Sequence, residues 1–249
     1  MDKLIHVVLS SLRQTSLSQR TTAANLANVE TVGFRADDTA NFQAAYLAAA
    51  GEPTSRVYST AAPQSISTRG GPLESTGNPL DVAINGSGYL VVQAPDGSRV
   101  ITRRGDLRVG PDQQLVNGSG EIVIGDNGPI VVPPYREISI TNDGTVNIIP
   151  IDAEADAPLQ SIGRLGLVAQ PRGLRRREDA NIEAADGQLP PFDPSITVMS
   201  GQLERSNVNS VEVLGKMVEL SRLFDAQTKL LKTASNMDEI GTTLMRLPD

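Results

Sequence analysis

Near the start of the chain, apolar and small residues recur with a helical period. Ile5, Leu9, Leu12, Ser16, Gln19, Ala23 and Leu26 follow one another at alternating intervals of four and three, and neither Gly nor Pro falls between Leu4 and Val29. That spacing predicts one helix with a coiled-coil-type seam. Its other faces carry mostly Ser, Thr, Gln and Asn, with charge at Asp2, Lys3, Arg13 and Arg20. Few ion pairs can therefore support it alone in water, and it requires a partner.

A second pattern of the same kind spans about Val208 to Arg246, again without Pro. At ~1.5 Å per residue such a helix extends roughly 55–60 Å, wider than most globular cores. Leu220, Leu223, Gln227, Leu230, Ala234, Met237, Gly241 and Leu244 form its seam, widened by Met217, Phe224 and Leu231. Ser206 or Asn207 is the expected cap, and Pro248 lies just past the end. Both seams carry small or polar residues at alternate positions, which permits close backbone approach. The expectation is that the N- and C-terminal helices pair as a coiled-coil-like hairpin and still present outer faces to neighbours.

The middle of the chain changes period. From Leu80 to Ile149, β-branched runs at Tyr89–Val92, Ile122–Ile124, Ile130–Val132, Ile138–Ile140 and Val146–Ile149 alternate with Asn85-Gly86, Asp96-Gly97, Asn117-Gly118, Asn127-Gly128 and Asn142-Asp143-Gly144. These are short antiparallel strands joined by turns that tolerate positive φ. Leu165–Gln170 and Ile182–Ala184 are candidate further strands, separated by a basic loop at Arg175, Arg176 and Arg177. Residues 36–79 are a connector, Ala-rich and helix-capable over Thr39–Ala50, then Ser, Thr, Gly and Pro-rich and extended over Ser55–Gly77. The predicted class is mainly β with long terminal helices, an α+β chain. Its divisions are an N-terminal helix region at 1–35, the connector at 36–79, a central β domain at 80–195 and a C-terminal helix region at 196–249.

Composition narrows the function classes. The chain has 249 residues, 39% of them hydrophobic, enough for a buried core. Only 3% are aromatic and none is Trp, which leaves little material for an aromatic-lined pocket. The absence of Cys removes disulfides, thiolate metal sites and cysteine nucleophiles together. A net charge of −7 argues against nucleic-acid binding, which needs a basic surface. No apolar run is long enough to cross a bilayer, and Leu4–Leu12 lacks the cleavage site of a secretory signal.

Single residues that suggest chemistry have simpler explanations. Asp37 and Asp38 are adjacent and so point different ways, and Asp38 reads better as the cap of a helix starting at Thr39. His6 is the one histidine and has no second imidazole for a metal site or relay. Ser87 lies between two glycines, but a strand follows it where a phosphate loop needs a helix and a lysine. Arg175–Arg177 is followed by Glu178 and Asp179 and lacks interleaved aromatics, so it reads as a solvated loop or, alternatively, as a partner for acids of a neighbouring subunit. No catalytic residue, cofactor or metal site is expected.

Three segments resemble the rod and hook family of flagellar axial proteins. The first is Asn25-Leu26-Ala27-Asn28 followed by Thr31-Val32-Gly33-Phe34-Arg35, in which Asn28 can end the helix, Gly33 can turn sharply and Phe34 can anchor the exit. The second comprises Leu80–Ile84 through Gly88, Thr102–Gly105 and Gln114–Val116. The third is Gly201–Glu204 with Ser206-Asn207-Val208-Asn209, then Met217, Arg222, Phe224 and Lys229. Together they cover more than half the chain. Gly33–Ala36, Leu90–Gln93 and Val198–Gly201 favour the proximal-rod type over the distal-rod or hook type.

The resemblance implies a structural subunit of the flagellar basal body that polymerises into the rod and transmits torque across the periplasm. It further implies export through the flagellar type III apparatus without a cleaved signal peptide. Its partners would be further copies of itself and other rod proteins, with no nucleic acid, small-molecule substrate or membrane span. The assembly interface would comprise Ile5, Leu9, Leu12, Leu26, Leu220, Leu223, Leu230, Met237 and Leu244. A different class, a stand-alone β-rich surface-binding or adhesion module, would require an exposed aromatic platform.

Overall fold

The computed structural model describes residues 2–38, 65–154, 157–177 and 179–244. The chain divides into a helical unit (1–27, 37–64 and 209–249) and a β unit (28–36 and 65–208). The predicted helix from Thr39, with Asp38 as its cap, and most of the extended connector lie outside the described residues; Asp37–Asp38 itself is extended backbone.

The helical unit contains α1, Asp2–Ala27, and α2, Ser210–Leu244. Neither Ser206 nor Asn207 caps α2. Asn209 does so: its Oδ1 accepts from the Val211 and Glu212 N–H groups at 3.0 and 3.3 Å, and its carbonyl accepts from Val213 N–H at 3.0 Å. The two expected caps are engaged elsewhere, Ser206 Oγ with Val208 N–H and the Asn207 amide with Ala36 and Arg69.

Within this unit α1 and α2 touch. On α2 the covered positions are Val213, Met217, Leu220, Gln227, Leu231 and Ala234, which keep the three-four spacing. On α1 the buried positions are Thr15, Thr21, Thr22 and Asn25; Thr15, Thr22 and Asn25 each stand one residue before a seam position expected from the sequence, and Thr21 stands two before. A polar contact joins the helices. The Gln227 amide donates to Ser11 Oγ at 2.7 Å, and the Thr15 hydroxyl lies 3.0 Å from both Gln227 Oε1 and the Ser11 carbonyl, one donor between two acceptors.

The β unit is built from short antiparallel strands. Its main sheet runs Leu174–Arg176, Ile182–Ala184, Arg99–Thr102, Tyr89–Gln93, Ile122–Gly125, Leu115–Asn117, Leu107–Val109. Leu167–Val168 also pairs with Tyr89–Gln93. A three-stranded sheet holds Tyr135–Ile140, Thr145–Pro150 and Gln160–Arg164, and two ribbons pair Val198–Ser200 with Val82–Ile84 and Gln202–Glu204 with Leu73–Ser75.

Strand Tyr89–Gln93 is buried on both faces. Leu90 and Val92 join a large core with Val100, Leu115, Val123, Ile148 and Leu165, whereas Tyr89 and Val91 join a second core with Ile101, Ile124, Val168 and Ile182. Two-sided burial is the physical reason for an unbroken apolar run there.

Three local expectations are corrected. Ile130–Val132 forms no strand; it makes one bridge, Gln114 to Val131, with Val131 turned to solvent and Ile130 and Val132 inward. Pro133 and Pro134, which follow it, lack the N–H that a continuing ladder needs. The turn at Asn117-Gly118 takes its positive φ at Gly120, because Asn117 Oδ1 accepts from both Ser119 and Glu121 N–H at 3.0 Å and carries the turn two residues further. Arg175 and Arg176 are not a loop but part of an edge strand paired with Ile182–Ala184.

Candidate functional site

The β unit contains a buried charged junction where the residues following α1 meet those preceding α2. Arg35, Arg103 and Glu204 are only 2–3% exposed, so their contacts are with protein rather than water. Glu204 Oε1 lies 2.7 Å from an Arg35 terminal nitrogen and Oε2 lies 3.2 Å from an Arg103 terminal nitrogen. Arg35 also donates to the Thr68 carbonyl at 2.8 Å, and Arg103 donates to the carbonyls of Ile84, at 2.8 Å, and Gly86. The Arg103 guanidinium sits 5.3 Å from the centre of the buried Tyr89 ring. Burial pushes the Tyr89 phenol pKa up, against the pull of Arg35 and Arg103. Burial likewise pushes Arg103 down, opposed by Glu204.

Backbone contacts converge on the same place. Gly33 N–H donates to the Glu204 carbonyl at 2.7 Å, and Gly71 N–H donates to Glu204 Oε1 at 3.0 Å. Gly33 has φ +67°, and a Cβ there would lie 2.3 Å from the Arg103 carbonyl carbon, so both conformation and space require glycine. Phe34 is buried, with the Arg176 guanidinium 4.4 Å from its ring centre and donating to the Arg35 carbonyl. Arg177 pairs with Asp96 at 2.6 Å, and the Ser98 hydroxyl first, then Arg177, hold the Asp96 carboxyl well below the usual carboxylate range. Arg176 and Arg177 are thus occupied within this chain, which corrects their reading as a solvated loop.

Two asparagines hold the segment that follows α1. In the helical unit, Asn25 Nδ2 donates to the Asp37 carbonyl and Asn25 Oδ1 accepts from Asp37 N–H, both at 2.9 Å. In the β unit, Asn207 Oδ1 accepts from Ala36 N–H at 2.7 Å, Asn207 N–H donates to the Phe34 carbonyl at 3.2 Å, and Asn207 Nδ2 donates to the Arg69 carbonyl at 2.9 Å. A short side-chain amide offers a donor and an acceptor side by side on one plane, matching a backbone N–H and C=O, which is why these positions suit Asn. Asn28 receives Thr31 N–H on its carbonyl at 3.2 Å and sits one residue past the end of α1.

On the helices, the sequence-selected residues separate into two groups. Leu12, Leu26, Ala27 and Leu220 divide between half-buried (Leu12, Leu26, Leu220) and exposed (Ala27) positions, and Val208, before α2, is half-buried. Leu9 is exposed, and Leu223, Leu230 and Met237 are 46, 59 and 56% exposed at seven-residue intervals. These three lie to one side of the covered seam, a stripe of apolar surface left in water. Ile5 and Leu244 lie within α1 and α2, and their side chains fall outside the described residues, as does that of His6. Among the described residues no His, Cys, Asp and Glu gather in a group able to hold a metal ion, and no helix is long and apolar enough to cross a membrane.

Residues 83–148 match the family described as Flagellar hook protein FlgE/F/G D1 domain, and residues 199–244 match that described as Flagellar basal body rod FlgEFG protein C-terminal. The chain is 37% identical over 256 residues to the flagellar basal-body rod protein FlgF of Salmonella typhimurium, an alignment covering 99% of this chain and 100% of that one. The chain belongs to the FlgF family of flagellar basal-body rod proteins. The FlgF of Escherichia coli is 38% identical over 245 residues, 95% of each chain, and the FlgG of Bacillus subtilis 30% identical over 246 residues, 90% of each. The first FlgE/F/G match begins inside strand Val82–Ile84 and ends inside Thr145–Pro150, and the second covers Glu204, Asn207 and α2. Sequence reading selected Gly33, Phe34, Ser206 and Asn207 but passed over the Arg35–Glu204–Arg103 cluster. The available signal was two arginines and a glutamate, one in each of the three motif segments, far apart in the chain.

Proposed function

We propose that this chain is a structural subunit of the flagellar basal-body rod, occupying its proximal part and passing torque along it. The full-length likeness to FlgF proteins carries this reading. In it, α1 and α2 pair as a coiled-coil-like hairpin, and the interface with neighbouring rod subunits is formed by Ile5, Leu9, Leu12, Leu26, Leu220, Leu223, Leu230, Met237 and Leu244. The exposed stripe of Leu223, Leu230 and Met237 supports that assignment, because apolar side chains at regular intervals gain from being covered. Asn25, Leu26, Ala27, Asn28, Gly33, Phe34, Ser206, Asn207 and Val208 act as the junction that fixes where each helix region begins.

The same reading takes the chain through the flagellar type III export apparatus with its N-terminus intact and places it in the periplasmic segment of the rod, with other rod proteins as partners. It assigns no catalysis and no cofactor. A distal-rod position is the second reading, favoured by the similarity to the Bacillus subtilis FlgG. Deleting the coding sequence in its bacterium and imaging purified basal bodies tests the proposal. Rods that stop short at their proximal end, restored by the intact chain and not by one carrying Leu223→Ser and Leu230→Ser, are expected. Complete proximal rods in the deletion strain would overturn it.

A further inference from the structure

The buried junction sets one carboxylate against two guanidinium groups. Glu204 bridges Arg35 and Arg103, leaving a surplus positive charge in a place closed to water. The Nε–H of Arg35 and that of Arg103 are both buried without a hydrogen-bond acceptor. A cluster so incompletely satisfied contributes little net stability, yet removing the single anion strands two buried cations.

The segments it fastens have few other anchors. Residues 67–72, Ser-Thr-Arg-Gly-Gly-Pro, contain no large apolar side chain. They are held by Ser67 N–H to the Ala36 carbonyl at 2.8 Å, Arg35 to the Thr68 carbonyl, Asn207 Nδ2 to the Arg69 carbonyl at 2.9 Å, Gly71 N–H to Glu204, and Arg205 N–H to the Pro72 carbonyl at 2.9 Å. Residues 33–36 rest on Glu204 and Asn207 in the same way and on Arg176, which donates to the Arg35 carbonyl, with Phe34 their one apolar anchor. The sheet strands 89–93, 99–102 and 122–125 have two apolar cores of their own and do not depend on these contacts.

We propose that Arg35, Glu204 and Arg103 form an electrostatic latch that closes residues 33–36 and 67–71 onto residues 203–207, and that it opens locally without melting the sheet. Its setting is the balance of one anion between two cations. Loss of Glu204 releases both segments together, whereas loss of Arg35 leaves a balanced Arg103–Glu204 pair and releases them less. The latch acts in the free chain and does not depend on assembly into a rod.

Amide hydrogen exchange on the full-length chain tests this, comparing wild type with Glu204→Gln, Arg35→Met and the triple change Arg35→Met, Arg103→Met, Glu204→Leu. Glu204→Gln is expected to speed exchange about a hundredfold at 33–36, 67–71 and 203–206 while leaving 89–93, 99–102 and 122–125 unchanged. Arg35→Met should give a smaller acceleration in the same segments, and the apolar triple variant should lie closer to wild type than Glu204→Gln does. Unchanged exchange in Glu204→Gln, equal acceleration of latch and sheet, or an Arg35→Met effect as large as that of Glu204→Gln would each overturn the proposal. If Glu204→Gln does not fold, Arg35→Met decides alone: acceleration confined to the latch segments supports the proposal, and acceleration throughout the unit refutes it.

Discussion

Gly33 combines a positive φ with backbone packed where a side chain would begin, so no compensating rotamer exists for a larger residue. Gly33→Ala is expected to cost about 3 kcal/mol or more, read as a lower midpoint in denaturant unfolding of the β unit. Asn209 is a simpler case. Its Oδ1 satisfies two N–H groups at the start of α2, and Asn209→Ala should cost ~1 kcal/mol, seen as reduced helical signal on mild heating. Asp143 closes the turn between Tyr135–Ile140 and Thr145–Pro150, where the Thr141 and Thr145 hydroxyls and Thr145 N–H hold its pKa down to about 2. A depressed carboxyl stabilises the fold above its unfolded pKa, and that contribution is lost as pH falls through the folded value. NMR titration should therefore show the turn intact at pH 4 and loosening only toward pH 2, with Asp143→Asn showing no such step.

At the level of elements, α2 shows how a periodic pattern is shared between two environments. The sequence offers a broad apolar face, and contact with α1 covers Val213, Met217, Leu220, Leu231 and Ala234 but leaves Leu223, Leu230 and Met237 in water. Leu230→Ala is therefore expected to change the stability of the isolated chain by less than about 0.5 kcal/mol. In an assembly that buries this residue the same change should cost about 2–5 kcal/mol, measured as a raised concentration for polymerisation with unaltered thermal unfolding of the monomer. Strand 89–93 is the opposite case, because its two faces enter two cores. Ile130–Val132 shows the limit of β-branched composition: Ile130 N–H bonds to the Val123 carbonyl and Val132 N–H to the Gln113 carbonyl, but Pro133 and Pro134 follow at once, so the pairing stops before a strand forms.

Across the whole molecule, each unit has its own source of order. The β unit rests on two apolar cores and a hydrogen-bonded junction. The helical unit is joined through a polar contact at Gln227 and largely hydroxyl-bearing or small side chains on α1. Amides of 8–27 and 210–237 should accordingly exchange faster in the monomer than those of 89–93, and slow down on assembly. Equal protection of helices and sheet in the monomer would contradict that account.

Periodicity alone determined the two long helices, the short-strand middle and most of the turns, because backbone geometry imposes periods of 3.6 and 2 on any sequence that buries one face. The family motifs were legible as residue types, a glycine able to turn at Gly33 and an amide at Asn207, but their partners, Arg103 for Gly33 and Ala36 and Arg69 for Asn207, lie far off in the chain. Tertiary structure decided which face of each helix is covered, that Asn209 and not its neighbours caps α2, and that Arg176 and Arg177 find partners within the chain. It also decided the meeting of Arg35, Arg103 and Glu204. These depend on competition for partners brought together from distant parts of the chain, and a one-dimensional pattern records spacing along the chain but not that competition.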